Sequence, residues 1–545
     1  MSDKIRHSET QKVMNAIAQA ERNGNAEAEL RLYGKLVKLQ PQQAMAWARL
    51  ADLHYAQQNK DEGRKAIEQA LELPGNDDAD RLMHAHWSQD PYFSADVPRA
   101  QRWYEAHPSE WRLEILFEGM TRFAQPEALE AVLARHLEAS AEASRQAFTL
   151  NLMFKNFFAR ARYHEAVACC KLGMELLPGH VSFIFNMALV LEELGQYLEA
   201  FKYYQRILAL EPENIGVNNN LALLMLRLGQ FSEGWQHYEW RWARVQKERY
   251  QHFNIPRWEG QPLQGKRLLV WSEQGIGDNI MFASMLPDLL SLGATVNFEV
   301  YERLEPLFKR RFPDVNFIRR EVITRDSGDE VYKIQQRWPT SDFHTPEGSL
   351  GRALRPTRES FPAQGPLLNA DPAQVDAFKR DYDARFPGKK RVGLSWRGGT
   401  SSATQQQTRR IAMADLALLA ALGNVQFIDL QYGDTRAERD EARGHGLEMY
   451  RDESVDPLHD MDRQGAQIMA LDLVISIDNT TVHLAGALGV PTLALLPINP
   501  NWRWGMQEGP SYWYSSVQTL RNGEVSDWHA TVSRTLALIE SQQLV

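Results

Sequence analysis

Ala188 and Ala222, Gly195 and Gly229, Tyr197 and Phe231, and Tyr204 and Tyr238 stand 34 residues apart, and Pro178 and Pro212 keep the same step. A chain that repeats at this interval is built from helix–turn–helix units. Each unit is too small to bury its apolar face alone, so it stacks on its neighbours. Tyr163 and Ala166 precede Tyr197 and Ala200 by the same 34 residues and extend the register backwards. Small residues let paired helices approach, aromatic residues fill between them, and each Pro ends a second helix. An earlier unit is legible from Trp47 through Leu50, Ala51, Ala70 and Pro74. From about Asn76 to Ser140 the pattern is out of phase, which predicts a degenerate repeat or an irregular helical insert.

The period is that of the tetratricopeptide repeat, and residues 10–245 are expected to form an α-solenoid. Such an array curls into a superhelix with an extended concave, peptide-binding wall. Asn186 and Asn220 fall one period apart on first helices, with Asn218 and Asn219 beside the second. Each side-chain amide offers a donor and an acceptor, so this spacing suits an extended acceptor peptide. The alternative is that Asn is a frequent solvent-facing choice in such helices.

Composition narrows the partners. Lys and Arg number 61 against 70 Asp and Glu, a net charge of −9, and no basic run of the kind that tracks a phosphate backbone is present. A general nucleic-acid binder is disfavoured. The two cysteines, Cys169 and Cys170, are adjacent in an apolar helical stretch, so they support neither a disulfide framework nor a thiolate metal cluster. The first residues, MSDKIRHSETQK, lack an apolar core, and nowhere do 18 apolar residues run together. A cytoplasmic chain without a membrane span is expected.

After residues 246–265, read as a linker, the pattern changes. RLLVWS is an apolar run leading into the Gly-containing loop EQGIGDN and then into a helical pattern. Further strand-like runs are TVNFEV (295–300) and VNFI (315–318), and periodicity is then lost from about 320 to 365. A second series runs through KRVGLSW (390–396), NVQFIDLQ (424–431), LDLVISID (471–478), VPTLALLP (490–497) and VQTL (517–520). Strands alternating with helices predict parallel sheets, and two series predict two lobes, at 266–370 and 385–545. In such folds ligands bind beyond the carboxyl ends of strands. The loops after RLLVWS, VGLSW, FIDLQ and VISID are therefore the informative ones.

In EQGIGDN, Gly275 and Gly277 permit close backbone approach, and Asp278 opens a helix. A dinucleotide fingerprint needs a third Gly where Ile280 stands, although Glu299 ends the second strand where a ribose-binding acid belongs. Asp278 reads either as a helix cap or as a general base taking a proton from an acceptor hydroxyl. In SIDNTTVHLAGALG, Asp478 ends a strand, and Asn479, Thr480 and Thr481 open a helix that Ala485, Gly486 and Ala487 let lie close to the sheet. Free N–H groups and two hydroxyls there suit a phosphate or diphosphate, with His483 adding a donor. The competing reading makes Asp478 and Thr480 plain caps and His483 a packed side chain. Trp396 ends a strand and Arg397 follows it directly, and Arg409 and Arg410 are further cationic candidates, Arg410 being the one assigned to the donor or else a surface charge. Gln431 and Tyr432 offer an amide and an aromatic face to a nucleobase, or simply wall the second lobe. The 15 Trp include Trp502, Trp504 and Trp513 beside Tyr514, read more readily as packing than as sugar platforms. Asp460 and Asp462 read as solvated. No H-E-x-x-H, G-x-S-x-G or Cys/His ligand spacing occurs.

PRWEGQPLQGKRLLVWSEQGIGDNIMFASMLPDL, WRGG and SIDNTTVHLAGALGVPTLALLP with NWRWG together resemble bacterial tetratricopeptide-linked glycosyltransferases of the heptosyltransferase and O-linked N-acetylglucosamine transferase group. The resemblance implies a GT-B fold of two Rossmann-like lobes and a nucleotide-sugar donor held by the carboxy-terminal lobe. It also implies metal-independent, inverting chemistry with no cofactor beyond that co-substrate. Carried over by motif, Asp278 corresponds to the base, and Asp478, Thr480, Thr481 and His483 to the donor-phosphate loop. TSSATQQQTRR departs from relatives, which are richer in basic residues there, so both a CMP-linked nonulosonic acid and a nucleoside-diphosphate sugar stay open. The repeats point to a Ser or Thr hydroxyl of a protein, and the resemblance to repeat-bearing enzymes of flagellin glycosylation implies flagellin as one option. A lipid-linked or lipopolysaccharide acceptor and a non-catalytic scaffold are the alternatives.

Overall fold

The computed structural model describes residues 2–545 except 75–76, 88–89, 91–95, 245–252, 321, 325–329, 333–337, 364 and 400–407. Most of TSSATQQQTRR and the first part of the expected linker lie outside the described residues.

From Ser2 to Arg244 the described chain is helical, and from Arg267 onward it alternates strand and helix. Two compact units divide it, Met1–Phe183 and Ile184–Val545. The repeat chemistry reads as expected. Gly195 and Gly229 take φ of +71° and +78° in the turns between paired helices, a left-handed backbone that explains why glycine recurs there. Ala166, Ala188, Ala200, Ala222 and Tyr204 are fully buried. Helices Tyr163–Leu176 and Tyr197–Leu210 stop just before Pro178 and Pro212. The out-of-phase stretch is also helical, with Asp77–Trp87, Val97–Ala106, Glu110–Arg122 and Pro126–Ala139.

In the second unit, β1 (Arg267–Trp271), β2 (Thr295–Tyr301), β3 (Asn316–Arg320) and β6 (Phe343–Pro346) form a parallel sheet in the order β3-β2-β1-β6. β4 (Val322–Thr324) and β5 (Glu330–Tyr332) make a separate antiparallel pair. The second sheet has the order β12-β13-β11-β10-β7-β8-β9. Its members are β7 (Lys390–Ser395), β8 (Val425–Asp429), β9 (Met449–Tyr450), β10 (Leu473–Ile477), β11 (Thr492–Leu496), β12 (Gly509–Pro510) and β13 (Val517–Arg521), with β12 alone antiparallel. β10 and β11 are buried at every position, as strands covered on both faces must be.

Within the stretch read as a linker, Arg257 bridges to His344, and the Trp258 backbone N–H donates to the His344 carbonyl at 2.8 Å. The aperiodic stretch from 320 to 365 contains β6, whose FHTP lacks the apolar alternation that announces a strand.

Candidate functional site

A cleft of about 430 Å³ opens where strand ends from both sheets converge. It is lined by Gly275, Gly277 and Asp278 after β1, Gly399 and Arg409 after β7, Tyr432 after β8, and Asp478 through Thr481 with His483 after β10. Arg303, Gln464 and Arg503 complete its polar wall. This is the geometry that strand order imposes, since carboxyl-end loops gather on one edge of a parallel sheet.

Asp278 sits in the first turn of the helix Ile276–Phe282. One carboxylate oxygen accepts the Gly275 N–H at 3.2 Å, and the other is ion-paired with Arg503. It is thus a cap and the partner of a buried cation at once. Arg503 lies in the turn Trp502–Trp504 and is 9% exposed. It was not singled out in the sequence, and the NWRWG string around it was the available signal. Trp502, Trp504, Trp513 and Tyr514 are all buried, so this aromatic cluster packs the floor behind Arg503. A hydroxyl that approaches Asp278 must share it with Arg503.

On the opposite wall the helix Thr480–Leu488 is capped by Asn479, whose Oδ1 accepts the N–H groups of Thr481 at 2.9 Å and Val482 at 3.4 Å. Neither Asp478 nor Thr480 is the cap. Two first-turn donors are therefore already taken, and an anion here depends more on side chains than on the bare helix end. Asp478 pairs with Arg409 at 3.0 Å. Arg409 Nε is buried and has no hydrogen-bond partner among the described residues.

His483 is 5% exposed, its Nδ1 is 2.9 Å from the Tyr514 hydroxyl, and its ring lies against Trp504 with centroids 5.2 Å apart. Burial pushes its pKa down to about 4, so it is neutral at neutral pH and contributes no positive charge. Gly277 faces the same ring. A Cβ there would stand 2.9 Å from His483 Cδ2, so glycine is what lets the two helices close on each other. Gly486 plays the like part against the sheet, since its Cβ would meet Tyr514 and Val517 at 2.8 Å.

Several expected contacts are not made. Trp396 is fully buried in the second lobe's core. Gln431 is fully buried too. Its Oε1 accepts the N–H groups of Trp396 at 2.9 Å and Arg397 at 3.0 Å, and its Nε2 donates to the Arg397 carbonyl, so no amide edge is left for a nucleobase. Arg397 pairs with Glu438 at 3.0 Å and lies over the Tyr432 ring. Arg410, half exposed, also pairs with Glu438, and it is Arg409 that reaches the cleft. Asp460 caps the helix Met461–Met469 and Asp462 pairs with Arg310, so neither is merely solvated. Asn186 and Asn220 lie on the helices Val181–Glu193 and Ile215–Arg227, both half-buried. Asn220 is hydrogen-bonded to the Tyr204 hydroxyl, which donates to Glu192 at 2.6 Å. Asn218 gives its Nδ2 to the Pro212 and Asn214 carbonyls.

Behind the first loop lies a carboxyl pair that the sequence did not announce. Glu347 is fully buried and accepts from Asn279 at 2.6 Å, Ser272 Oγ at 3.1 Å and the Glu273 N–H at 3.3 Å. Glu299, which stands where a dinucleotide fold would put a ribose-binding acid, accepts the Ser272 N–H at 2.8 Å. Burial pushes both pKa values up to about 7. Folded Glu347 thus holds a proton that the unfolded chain releases between about pH 4.5 and 7, so its contribution to stability falls as pH rises through that window, by about 3 kcal/mol. Glu347→Gln removes this dependence. The melting difference between variant and wild type is expected to move in the variant's favour from pH 5 to 7, and a constant difference refutes the assignment.

Two stretches, 44–77 and 181–214, match the tetratricopeptide repeat, and the chain carries such repeats. Protein FlbA of Caulobacter vibrioides is 36% identical over 293 residues, 52% of this chain and 48% of FlbA, so the chain spans about half the length of that curated relative. Among solved structures, the family 9 glycosyl transferase of Veillonella parvula aligns at 12% identity over 52% of this chain and 91% of its own, with a TM-score of 0.35. ADP-heptose heptosyltransferase II of E. coli aligns at 13% over 51% and 98%, with a TM-score of 0.32. An O-GlcNAc transferase mutant of Thermobaculum terrenum aligns at 13% over 83% and 92%, with a TM-score of 0.26. Among the described residues no helix is long and apolar enough to cross a membrane.

Proposed function

We propose that the protein is a glycosyltransferase that moves a sugar from a nucleotide-activated donor to a hydroxyl, with a Ser or Thr of a protein, a flagellin being one option, as acceptor. One observation carries the reading. The cleft joins a carboxylate at the start of one lobe's helix, Asp278, to a cationic and hydroxyl-bearing helix start in the other, Arg409 with Thr480 and Thr481. Arg409, which lines the cleft beside Thr480, supplies positive charge for an anionic leaving group. In the proposed reaction the acceptor oxygen attacks the anomeric carbon and its proton passes to Asp278. The bond from that carbon to the phosphate oxygen breaks, inverting the centre, and the freed phosphate charge rests on Arg409 and the Thr480 hydroxyl. No metal or further cofactor is assigned a step. Preorganised donors of this kind are worth about 3 kcal/mol each. The tetratricopeptide repeats support a protein acceptor, because their stacked helices form extended peptide-binding surfaces.

The test is a thermal-shift and hydrolysis screen against CMP-, UDP- and ADP-linked sugars. A donor at a hundred times its Kd adds about 2.7 kcal/mol of apparent stability. One nucleotide class is expected to protect and to be hydrolysed slowly. Protection by none of the three, with no turnover, removes the enzymatic reading. A non-catalytic scaffold is then favoured, and the Arg503 pairing of Asp278 is the observation that fits it.

A further inference from the structure

The loop that leads into Asp278 is held from outside its own lobe. Tyr238 ends the helix Phe231–Tyr238, the last full helix of the repeat series. Its hydroxyl accepts a hydrogen bond from Gln274 Nε2. Gln274 Oε1 in turn accepts from Arg503 at 3.3 Å, and Arg503 is ion-paired with Asp278. A second tie runs beside the first: Arg241 donates to both oxygens of Glu273, at 2.9 and 2.7 Å, and its guanidinium lies 4.4 Å from the Tyr238 ring centroid. Glu273 also accepts the Gly348 N–H at 3.0 Å. All these groups belong to the unit Ile184–Val545. Trp235 packs edge to face on Trp502, in the turn that bears Arg503, so the same helix also has an apolar contact with that turn.

We infer that the end of the repeat series is part of the catalytic apparatus: Tyr238, closing the helix Phe231–Tyr238, and Arg241, opening the short helix Arg241–Arg244, are positioning residues that set the loop at Glu273 and Gln274, and through Gln274 the orientation of the Asp278–Arg503 pair. The inference rests on the proposed function and deepens it. A repeat that only displayed an acceptor would need no hydrogen bond to the loop bearing the base. Here the base is shared with Arg503, and what fixes Arg503 fixes how much of Asp278 faces a hydroxyl. Misplacing a catalytic group by about 1 Å can cost about a hundredfold in rate.

Tyr238→Phe deletes one oxygen and keeps the ring packing. Its turnover number is expected to fall roughly ten- to a hundredfold, with the donor KM and the melting temperature within twofold and 2 °C, roughly, of wild type. Hydrogen exchange is expected to quicken in the 272–280 segment and around 500–505. Glu273→Gln, which keeps an acceptor for Gly348, serves as a second variant and is expected to give the same exchange pattern. Unchanged exchange in those segments in both variants overturns the inference, whatever the turnover. So does wild-type kcat in Tyr238→Phe. A wild type inert toward every nucleotide sugar overturns the proposed reaction instead, and the exchange measurement still decides whether the repeat holds the loop.

Discussion

Asp278→Asn is expected to lower turnover about a thousandfold, the middle of the range for losing a general base. The substitution separates the two readings of this residue. Asparagine can still accept the Gly275 N–H, so the helix cap survives, while the group able to take a proton is gone. Stability is expected to fall as well, by about 3 kcal/mol, because Arg503 is left as a buried and unpaired cation. That loss confounds a simple activity assay, and a second change removes the confusion. With Arg503→Met as well, no buried cation is left unpaired, so the double variant is expected to regain most of the stability and none of the activity. A double variant that recovers turnover, or a single one within threefold of wild type, makes Asp278 a cap and counter-ion with no part in proton transfer.

The pairing of Asp278 with Arg503 spans 225 residues of sequence, which is why no local pattern announced it. What the sequence did announce came from burial and period. RLLVWS, VGLSW, VISID and VPTLALLP are continuous apolar runs because parallel strands are covered on both faces, and their order alone says where loops will gather. Gly195 and Gly229 were legible because the turn between helices demands a left-handed residue at each repeat. The errors share a cause, which is that a side chain's direction is decided by a partner distant in sequence. Arg409 lies in a turn and Arg410 in the bridge that follows it, so the two side chains go different ways. The bridge between Arg397 and Arg410 sends Arg410 to Glu438 and leaves Arg409 at the cleft. Gln431 stands at a strand end as expected, yet three donors from the end of β7 claim its Oε1 before any ligand can. Asp478, Asn479 and Thr480 are all competent caps, and only the folded register selects Asn479.

The out-of-phase stretch between Asn76 and Ser140 shows how a helical array is held where its period fails, and it yields the other large expected effect. Arg112 is 1% exposed and Asp80 fully buried, 3.2 Å apart. Arg112 also donates to the carbonyls of Leu71 at 2.9 Å and Leu73 at 3.0 Å, at the end of the helix Lys60–Leu71, and to that of Trp103 at 3.3 Å near the end of Val97–Ala106. Ser109 donates to Asp80 at 2.8 Å. Helix ends leave carbonyls without partners and carry partial negative charge, so one guanidinium satisfies two helix ends at once. Arg112→Leu strips those carbonyls and leaves a buried carboxylate unpaired, which is expected to cost about 4 kcal/mol. Asp80 and Arg112 both lie in the compact unit Met1–Phe183, so that is where the cost is expected to be felt. Calorimetry is expected to show the transition of the first unit lowered by roughly 10 °C while the second keeps its midpoint and its nucleotide-sugar response. If both transitions move together, the units are one cooperative body. If neither moves, the Arg112 network is dispensable, and the apolar contacts around Trp87 and Trp103 hold this stretch alone.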